Sequence, residues 1–247
     1  MLNEPTLTRL KEMKLFSMAE AWSEQSNSSD MKQCSFDERF GLLVDAEFLS
    51  RENRRLARLL REAKLRISDA CIEDVDTPAR RGLDKAELRR LATCEWVQQH
   101  RNVIITGATG VGKTYLACAL AQNACRKGHR VLYRRMSRLL DELKLARADG
   151  TYPRLLAKLS RFDVIVLDDW GLPQLNDTAK HDILEVLEDR YDMRSTIITS
   201  QLPIAHWHEY IADPSLADAL LDRVVHNAYK VELKGPSRKK EKAQAKS

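Results

Sequence analysis

The stretch Asn102-Val-Ile-Ile-Thr-Gly-Ala-Thr-Gly-Val-Gly-Lys-Thr114 decides the fold of this 247-residue chain. Its second half, Gly107–Thr114, matches the complete pattern G-x-x-x-x-G-K-S/T of a phosphate-binding loop. Glycines let such a loop turn tightly, so that its backbone N–H groups converge on phosphate oxygens at the positive end of the following helix. The apolar run Val103–Thr106 and the Ala/Leu-rich run Tyr115–Ala124 predict the strand and the helix that the motif requires on either side. The sequence therefore predicts a nucleotide site.

Within the motif, two side chains predict specific contacts with ATP and Mg²⁺. We expect Lys113 to pair with the β- and γ-phosphates and Thr114 to offer its hydroxyl to Mg²⁺. The residues predicted to contact ATP are Gly107, Ala108, Thr109, Gly110, Val111, Gly112, Lys113, Thr114 and Tyr115. A glycine-rich turn that binds no nucleotide would not explain why Lys and Thr stand at positions 113 and 114.

A second candidate element is Asp163-Val-Ile-Val-Leu-Asp168-Asp169. Its apolar residues predict a buried strand, and the two carboxylates emerge at the C-terminal end, where ligands sit in open α/β sheets. We expect Asp168 to hold Mg²⁺ through water and Asp169 to act as the general base that polarises the attacking water. The alternative is a strand that simply ends in polar residues. It is less favoured because a complete phosphate-binding loop precedes it in the sequence.

From Asn102 onward, short β-branched runs alternate with helical segments. The strands are predicted at Val103–Thr106, Val131–Tyr133, Val164–Leu167, Thr196–Thr199 and Tyr229–Leu233. This alternation predicts an α/β fold with a doubly wound, five-stranded parallel sheet flanked by helices. The fourth strand is expected to insert between the phosphate-loop strand and the Asp168 strand, so that Thr199 or Ser200 senses the γ-phosphate. A polar strand end that starts the turn before Pro203 is the alternative.

The first 70 residues predict a small all-α domain that provides oligomer or partner contacts. One helix is predicted from about Thr6 to Trp22 and a second from Phe36 to about Leu65. Apolar residues of the second helix share one broad face: Phe40, Leu43, Val44, Phe48, Leu56, Leu59 and Leu60. Residues 67–82 are typical of a connector, residues 71–234 form the predicted ATPase domain with its linker, and the basic tail 235–247 is expected to be disordered.

Composition limits the classes of protein to which the chain can belong. No run of about 18 apolar residues occurs, which predicts no membrane span. The N-terminus lacks the layout of a signal peptide, which predicts a cytoplasmic location. Five cysteines at no metal-like spacing argue against zinc and disulfides. The net charge of +5 is too small to indicate nucleic acid by itself.

Several strings of the sequence resemble the IstB-like helper ATPases that are encoded beside the transposase of an insertion sequence, within the AAA+ initiator and DnaC-like group. The resembling strings are Arg81-Gly-Leu-Asp84, Asn102–Ala119, Leu132–Leu140, Leu167-Asp-Asp-Trp-Gly171, Glu188-Asp-Arg-Tyr191, Ser195–Pro203 and Leu221-Asp-Arg-Val-Val-His-Asn-Ala-Tyr229. They extend over nearly the whole chain, and their combination is far more specific than the phosphate-binding loop alone.

The resemblance implies an ATPase that assembles on duplex DNA as a homo-oligomer, selects or remodels target DNA, and directs a partner transposase to it. It implies ATP at subunit boundaries, with Arg223 as an arginine finger supplied in trans. From the residues alone, a surface salt bridge of Arg223 with Asp222 or Asp218 is favoured instead. Asp169 stands where most AAA+ ATPases carry Glu, which predicts slow turnover. The tail around Arg238 departs from the family pattern, so Arg238 is assigned no nucleotide contact.

Basic residues outnumber acidic ones between positions 134 and 161 and are expected on the two helices before the Asp168 strand. They are Arg134, Arg135, Arg138, Lys144, Arg147, Arg154, Lys158 and Arg161, against Asp141, Glu142 and Asp149. The resemblance implies that this insertion faces duplex DNA through its first five basic residues, Arg134, Arg135, Arg138, Lys144 and Arg147; such phosphate contacts carry little sequence preference. A solvated charged face is the alternative. For the basic helix Arg51–Arg66 the sequence does not distinguish a role in DNA contact from a role in subunit pairing.

Two other classes of protein, helicase loaders and small-molecule kinases, also carry a phosphate-binding loop. A DnaC-like loader of a replicative helicase has the same ATPase core, but its N-terminal module often carries a metal-binding or helicase-docking element, and this sequence has no cysteine cluster. A small-molecule kinase leaves Arg223 and the basic helices without a role. The combined strings therefore favour the transposition helper.

Overall fold

The computed structural model describes residues 4–77 and 82–236. The helices in these ranges are α1 Glu4–Glu12, α2 Phe16–Asn27, α3 Phe36–Ala63, α4 Lys85–Ala92, α5 Glu95–Gln98, α6 Lys113–Arg126, α7 Met136–Ala148, α8 Tyr152–Leu159, α9 Asp177–Glu188, α10 Trp207–Ile211 and α11 Pro214–Val225. The strands are β1 Asn102–Gly107, β2 Val131–Arg135, β3 Val164–Trp170, β4 Ser195–Ser200 and β5 Ala228–Leu233. Short 3-10 helices lie at Asp30–Gln33 and Ile204–His206. Arg81, and the tail from residue 237 with Arg238, lie outside the described ranges.

The strands form one parallel sheet in the spatial order β2-β3-β4-β1-β5. Each strand contains the run predicted for it and extends slightly beyond it. The predicted insertion of β4 between β1 and β3 is confirmed, with Thr199 opposite Ile105 and Ile197 opposite Val166. Because the carboxyl ends of parallel strands meet at one edge, the phosphate-binding loop and the ends of β3 and β4 come together there.

The centre of the sheet is covered on both faces. Val103, Ile104 and Ile105 of β1 are consecutive and fully buried, and successive strand residues point to opposite faces. The helix α6 follows the phosphate-binding loop and packs against β1, β2, β3 and β4. Most residues of its buried run Ala117–Ala121 are small, which lets the helix approach the sheet closely. The loop is therefore anchored at both ends by buried structure.

Arg190, just after α9, is a buried cation that ties together the segments at the start of β3 and β4. Its guanidinium donates to the backbone carbonyls of Leu159 at 3.0 Å, Phe162 at 2.9 Å and Ser195 at 2.6 Å. The residue is 2% exposed, so these acceptors replace the water that the charged group loses on folding. This arginine of the string Glu188–Tyr191 therefore has a structural role.

The chain divides into two compact units, Met1–Arg58 and Leu59–Ser247. The division falls inside α3. The domain bounds at residues 70 and 234 stay predictions.

The first unit contains two helices, α1 and α2, where the sequence predicts one. Between them Lys14 has φ of 59°, a left-handed conformation that ends a helix. The carboxylate of Glu47 on α3 then accepts the N–H groups of Ser17 at 3.0 Å and Met18 at 3.2 Å, which stabilises the start of α2. The single-helix prediction is wrong because its apolar periodicity continues across a break that the backbone makes at Lys14.

The predicted helix from Phe36 is confirmed as α3, but its broad apolar face is only partly buried. Leu43 and Leu59 are buried, whereas Phe40 and Phe48 are 51% and 61% exposed. In the described part of the chain, no helix is long and apolar enough to cross a membrane.

Candidate nucleotide site

The phosphate-binding loop leaves β1 and enters α6, as the sequence predicts. Gly107, Gly110 and Gly112 have φ angles of 143°, 85° and 105°, a region that side chains disfavour. A Cβ atom at Gly107 would lie 2.2 Å from the carbonyl oxygen of Leu233 on β5. The first glycine of the motif is therefore required by the close approach of β5 as well as by the turn.

The amino end of α6 is suited to an anion. Its N-cap residue, Gly112, offers no side-chain acceptor to the first N–H groups of the helix. Lys113 Nζ donates to the carbonyl oxygens of Gly107 at 2.7 Å and Ala108 at 2.9 Å, so the cation lies over the loop. Burial lowers the pKa of Lys113, and two nearby aspartates oppose that shift. Helix N–H dipoles and a cation beside a glycine-rich loop fit the phosphates of a nucleotide.

Other residues of the motif have different surroundings. Val111 is buried, and the Tyr115 hydroxyl accepts the N–H of Cys71 at 3.5 Å. The Thr109 hydroxyl donates to Oε1 of Gln201 at 2.6 Å. Gln201, which directly follows β4, is a residue that sequence reasoning does not select as a site residue.

Asp168, near the end of β3, is completely buried and surrounded by hydroxyl groups. Its Oδ1 atom accepts from Thr114 at 2.9 Å and from Thr199 at 2.5 Å, and its Oδ2 atom accepts from Tyr133 at 2.6 Å. The guanidinium of Arg66 lies 3.5 Å from Oδ2. A threonine hydroxyl beside a carboxylate is the pair of oxygen groups that holds Mg²⁺ next to phosphates in this class of loop. Thr114 and Asp168 therefore fit a Mg²⁺ ion.

Asp169 adopts an unusual backbone conformation, with φ of 66°, where β3 and β4 lose their regular register. Its N–H donates to the Thr199 hydroxyl at 3.1 Å, and its carboxylate lies 3.8 Å from Nε of Arg135. Burial, and then the charge of Asp168, raise the pKa of Asp169, while Arg135 and other cations oppose the shift. A partly exposed carboxylate with a raised pKa suits a general base.

The two predicted sensor residues, Thr199 and Ser200, are both buried and already hydrogen-bonded. The Thr199 hydroxyl donates to Asp168 at 2.5 Å. The Ser200 hydroxyl donates to the Trp170 carbonyl at 2.8 Å and accepts the N–H of Leu202 at 3.0 Å. Thr199 therefore belongs to the Asp168 cluster, whereas Ser200 braces the end of β3.

Arg223, on α11, lies at the opposite end of β1 from the phosphate-binding loop. Its backbone carbonyl accepts from Nδ2 of Asn102, the first residue of β1, at 3.2 Å. A strand rises about 3.3 Å per residue, so about 16 Å of strand separates Gly107 from Asn102, which the backbone of Arg223 contacts. Its guanidinium pairs with Glu188 at 2.8 Å.

The salt bridge of Arg223 with Asp222 or Asp218, favoured from the residues alone, is therefore wrong. Asp222 lies 3.6 Å from His226, and Asp218 lies 3.5 Å from His208.

Two predicted DNA-binding arginines are not on helices. Arg134 and Arg135 are the last residues of β2, so their predicted helical position is wrong because the strand runs on through them. Arg134 pairs with Glu142 at 2.9 Å.

The other three predicted DNA-binding residues lie on α7. Arg147 is engaged within the fold, since it pairs with Asp182 at 2.5 Å and stacks on the ring of Tyr152. Arg138 and Lys144 are exposed.

Two further residues of the site, Tyr133 and Arg66, escape sequence reasoning. Tyr133 lies on β2, two residues before Arg135, which pairs in register with Asp168. Once β2 is taken as the neighbour of β3, a polar residue near its end is a candidate to face Asp168. Arg66 lies between the end of α3 and the connector, far from Asp168 along the chain, and the basic run Arg51–Arg66 marks it for DNA or subunit contact but not for the nucleotide site.

The sheet order, the loop after β1 and the paired aspartates near the end of β3 define an AAA+ nucleotide-binding fold. The solved structure of the DnaC helicase loader is similar, with a TM-score of 0.53 and 23% identity, and the match covers 67% of this chain and 97% of that chain. At this identity the likeness concerns the fold alone.

Sequence comparison identifies the family. The profile of the IstB-like ATP binding protein family matches residues 8–245. An insertion-sequence ATP-binding protein from Sinorhizobium fredii is 51% identical over 237 residues, which are 96% of each chain. The ATP-binding protein of insertion sequence IS1162 from Pseudomonas fluorescens is 47% identical over 203 residues, which are 82% of this chain and 88% of the relative. The chain therefore belongs to the IstB-like ATP-binding proteins of insertion sequences, and this membership implies ATPase activity.

Proposed function

We propose that this ATPase is a transposition helper that forms a homo-oligomer on duplex DNA in the cytoplasm, selects or remodels the target, and directs a partner transposase to it. The observation that carries the proposal is the separation of Arg223 from the phosphate-binding loop of its own chain. An arginine side chain is too short to reach from one end of β1 to the other, about 16 Å by the rise of a strand. A role for Arg223 in hydrolysis therefore requires a nucleotide bound by a neighbouring subunit.

The nucleotide chemistry follows from the residues around the loop. Lys113 and the N–H groups at the start of α6 bind the β- and γ-phosphates. Thr114 and Asp168 would hold Mg²⁺, which would supply positive charge that stabilises the transferred phosphate. Asp169 accepts the proton of the attacking water, and Arg223 of the neighbour stabilises charge on the phosphoryl group.

Turnover in this arrangement is slow. Asp169 is one methylene shorter than the glutamate that most AAA+ ATPases carry, so its carboxylate reaches less far toward the attacking water, and it lies 3.8 Å from Nε of Arg135. A slowly hydrolysed nucleotide suits control of assembly better than rapid mechanical work. ATP binding therefore promotes the oligomer on DNA, and hydrolysis releases it.

The DNA surface lies on α7 and α8. Arg138, Lys144, Arg154, Lys158 and Arg161 are exposed cations on these helices or directly after them. Within the described residues none of these five cations forms an ion pair, so they are available to phosphates, whereas Arg147 pairs with Asp182. Contacts of this type give affinity with little sequence preference. Arg134 and Arg135 flank the surface from the end of β2.

Residues 1–70 provide contacts with a second copy or with the transposase, while residues 71–234 carry the ATPase site. Support for the first assignment comes from the aromatic side chains that α3 exposes. Phe36 and Phe40 stack with ring centroids 5.9 Å apart and are 75% and 51% exposed. Exposed apolar clusters of this kind mark interaction surfaces.

The decisive experiment is electron microscopy of the protein with duplex DNA and a slowly hydrolysed ATP analogue. We expect DNA-bound oligomers with the analogue and few with ADP. A monomer under both conditions would contradict the proposal. The variant Lys113→Ala serves as the control for nucleotide dependence, since it should not assemble.

The helicase-loader alternative is tested by partner capture. Immobilised protein, loaded with DNA and the ATP analogue, is offered the transposase of its insertion sequence and, separately, a replicative helicase. We expect the transposase to be retained. Retention of the helicase in its place would favour the loader.

A further inference from the structure

The connector after α3 lies along the helix that carries the phosphate-binding loop. The guanidinium of Arg126, at the end of α6, donates to the Glu73 carboxylate at 2.8 Å and to the Cys71 thiol at 2.9 Å. Near the start of α6, the Tyr115 hydroxyl accepts the N–H of Cys71 at 3.5 Å. These contacts at two points along α6 hold the start of the connector beside the nucleotide site.

Arg66 is placed by these contacts at the buried carboxylate of Asp168. Its Nη1 atom lies 3.5 Å from Oδ2, the oxygen that also accepts from the Tyr133 hydroxyl at 2.6 Å. The Arg66 side chain is 41% exposed, whereas that of Asp168 is fully buried. The guanidinium therefore faces the metal-binding carboxylate from the solvent side.

The electrostatics at this point need a cation. Asp168 and Asp169 are adjacent carboxylates. Arg135 lies 3.8 Å from that of Asp169, and among the described residues the cation that pairs with Asp168 is Arg66. Hydroxyl donors from Thr114, Thr199 and Tyr133 stabilise Asp168 but bring no charge. Phosphates entering beside two carboxylates are repelled unless positive charge compensates them.

We propose that Arg66 is a positioning residue that supplies this charge while the site lacks Mg²⁺, and that Mg²⁺ takes over the role when it binds. The inference rests on the proposed Mg²⁺ site at Thr114 and Asp168. It makes the connector sensitive to the metal, because the partner of Arg66 is the carboxylate that Mg²⁺ requires. Nucleotide without Mg²⁺ is held with Arg66 engaged, and nucleotide with Mg²⁺ is held with Arg66 released from Asp168.

The test compares the Kd of a fluorescent ADP derivative in EDTA and in saturating Mg²⁺, for the full chain. Arg66→Gln should weaken binding in EDTA by roughly three- to tenfold, the effect of losing one partly exposed charge near the phosphates. Its Kd in Mg²⁺ should stay within about twofold of the wild type, because the metal supplies the missing charge. Arg66→Lys keeps the charge and should bind nearly as well as the wild type in both media. Arg61→Gln removes an exposed arginine of α3 and is the matched control.

The outcomes separate the two proposals. Equal weakening of Arg66→Gln in both media, or no weakening in either, would overturn the role of Arg66 while leaving the Mg²⁺ site in place. If the affinity of the wild type itself does not depend on Mg²⁺, the Mg²⁺ site is wrong, and the role of Arg66 falls with it. Weakening confined to EDTA, with recovery in Arg66→Lys, would support the role of Arg66.

Discussion

The Thr199 hydroxyl donates a 2.5 Å hydrogen bond to Asp168 and accepts, at 3.1 Å, the N–H of Asp169. One side chain at the end of β4 thus orients the carboxylate assigned to Mg²⁺ and the backbone of the assigned base. This relationship exists because β4 lies between β1 and β3. We expect Thr199 to act on the nucleotide through Asp168 and Asp169, whereas Gln201 contacts the phosphate-binding loop itself, where its Oε1 atom accepts from Thr109 at 2.6 Å.

The first prediction concerns that hydroxyl. Thr199→Val keeps the shape of the side chain and removes both hydrogen bonds, so hydrolysis should fall about tenfold, since two buried hydrogen bonds to charged or strained groups are lost. The Mg²⁺ concentration needed for half-maximal activity should rise. A Mg²⁺ titration of ATP hydrolysis measures both effects. Thr199→Ser retains the hydroxyl and is the control, and an unchanged Mg²⁺ requirement in Thr199→Val would contradict the assignment.

The second prediction concerns the base. Asp169→Asn should bind ATP with nearly unchanged affinity, lose most hydrolysis, and accumulate as ATP-bound oligomers on DNA. Because the pKa of Asp169 is raised by burial and by Asp168, wild-type hydrolysis should increase with pH through a midpoint above the ordinary aspartate value. The carboxyl is protonated and inactive below that midpoint and charged and active above it. Hydrolysis that persists in Asp169→Asn would show that another group is the base.

The third prediction tests whether Arg223 acts on a neighbouring subunit. Arg223→Ala and Asp169→Asn should each be nearly inactive alone. Mixed on DNA, they should recover part of the hydrolysis, because the intact site of Arg223→Ala then receives the arginine of Asp169→Asn. Glu188→Gln removes only the partner of Arg223 in its own chain, and its hydrolysis, measured alone, checks that the salt bridge is not the essential feature. A mixture that stays inactive would argue against a shared site.

The fourth prediction concerns DNA. Arg138→Glu with Lys144→Glu should weaken duplex binding, and the slope of log K against log salt should flatten by about 0.9 for each lost phosphate contact. Arg147→Gln, which breaks an intramolecular pair with Asp182, is the matched control and should leave the slope unchanged. Fluorescence anisotropy over a range of salt concentrations measures both. An identical slope in the double variant would place the DNA surface elsewhere.

The fifth prediction concerns stability. Arg190→Met should lower the free energy of unfolding by about 3 kcal/mol or more, because buried carbonyls of Leu159, Phe162 and Ser195 lose their donor. Urea unfolding followed by circular dichroism measures the change. Arg194→Met alters a more exposed arginine nearby and should have a much smaller effect. A loss of nucleotide affinity in Arg190→Met without a loss of stability would contradict the structural role.

Most of the fold can be predicted from the sequence, because the signals involved are local. The glycine pattern of residues 107–112 reflects backbone angles that few side chains tolerate, and the β-branched runs mark every strand. The order of β1, β3 and β4 also followed from the spacing of the motifs along the chain. The break at Lys14 cannot be predicted from the sequence in this way, since apolar periodicity indicates which face of a helix is buried and not whether the helix is continuous. The extent of β2 was missed because Arg134 and Arg135 are charged and leave no apolar signal.

The sequence by itself determined that this chain binds a nucleotide, that its loop follows a buried strand, and that it belongs to the IstB-like group, since each rests on contiguous residues with strict chemical requirements. Tertiary structure alone decided that Tyr133, Thr199 and Arg66 converge on Asp168 and that Arg223 lies at the far end of β1. These contacts join positions far apart in the chain. They arise from the packing of strands and helices around a common core, for which no short stretch of sequence carries a signal.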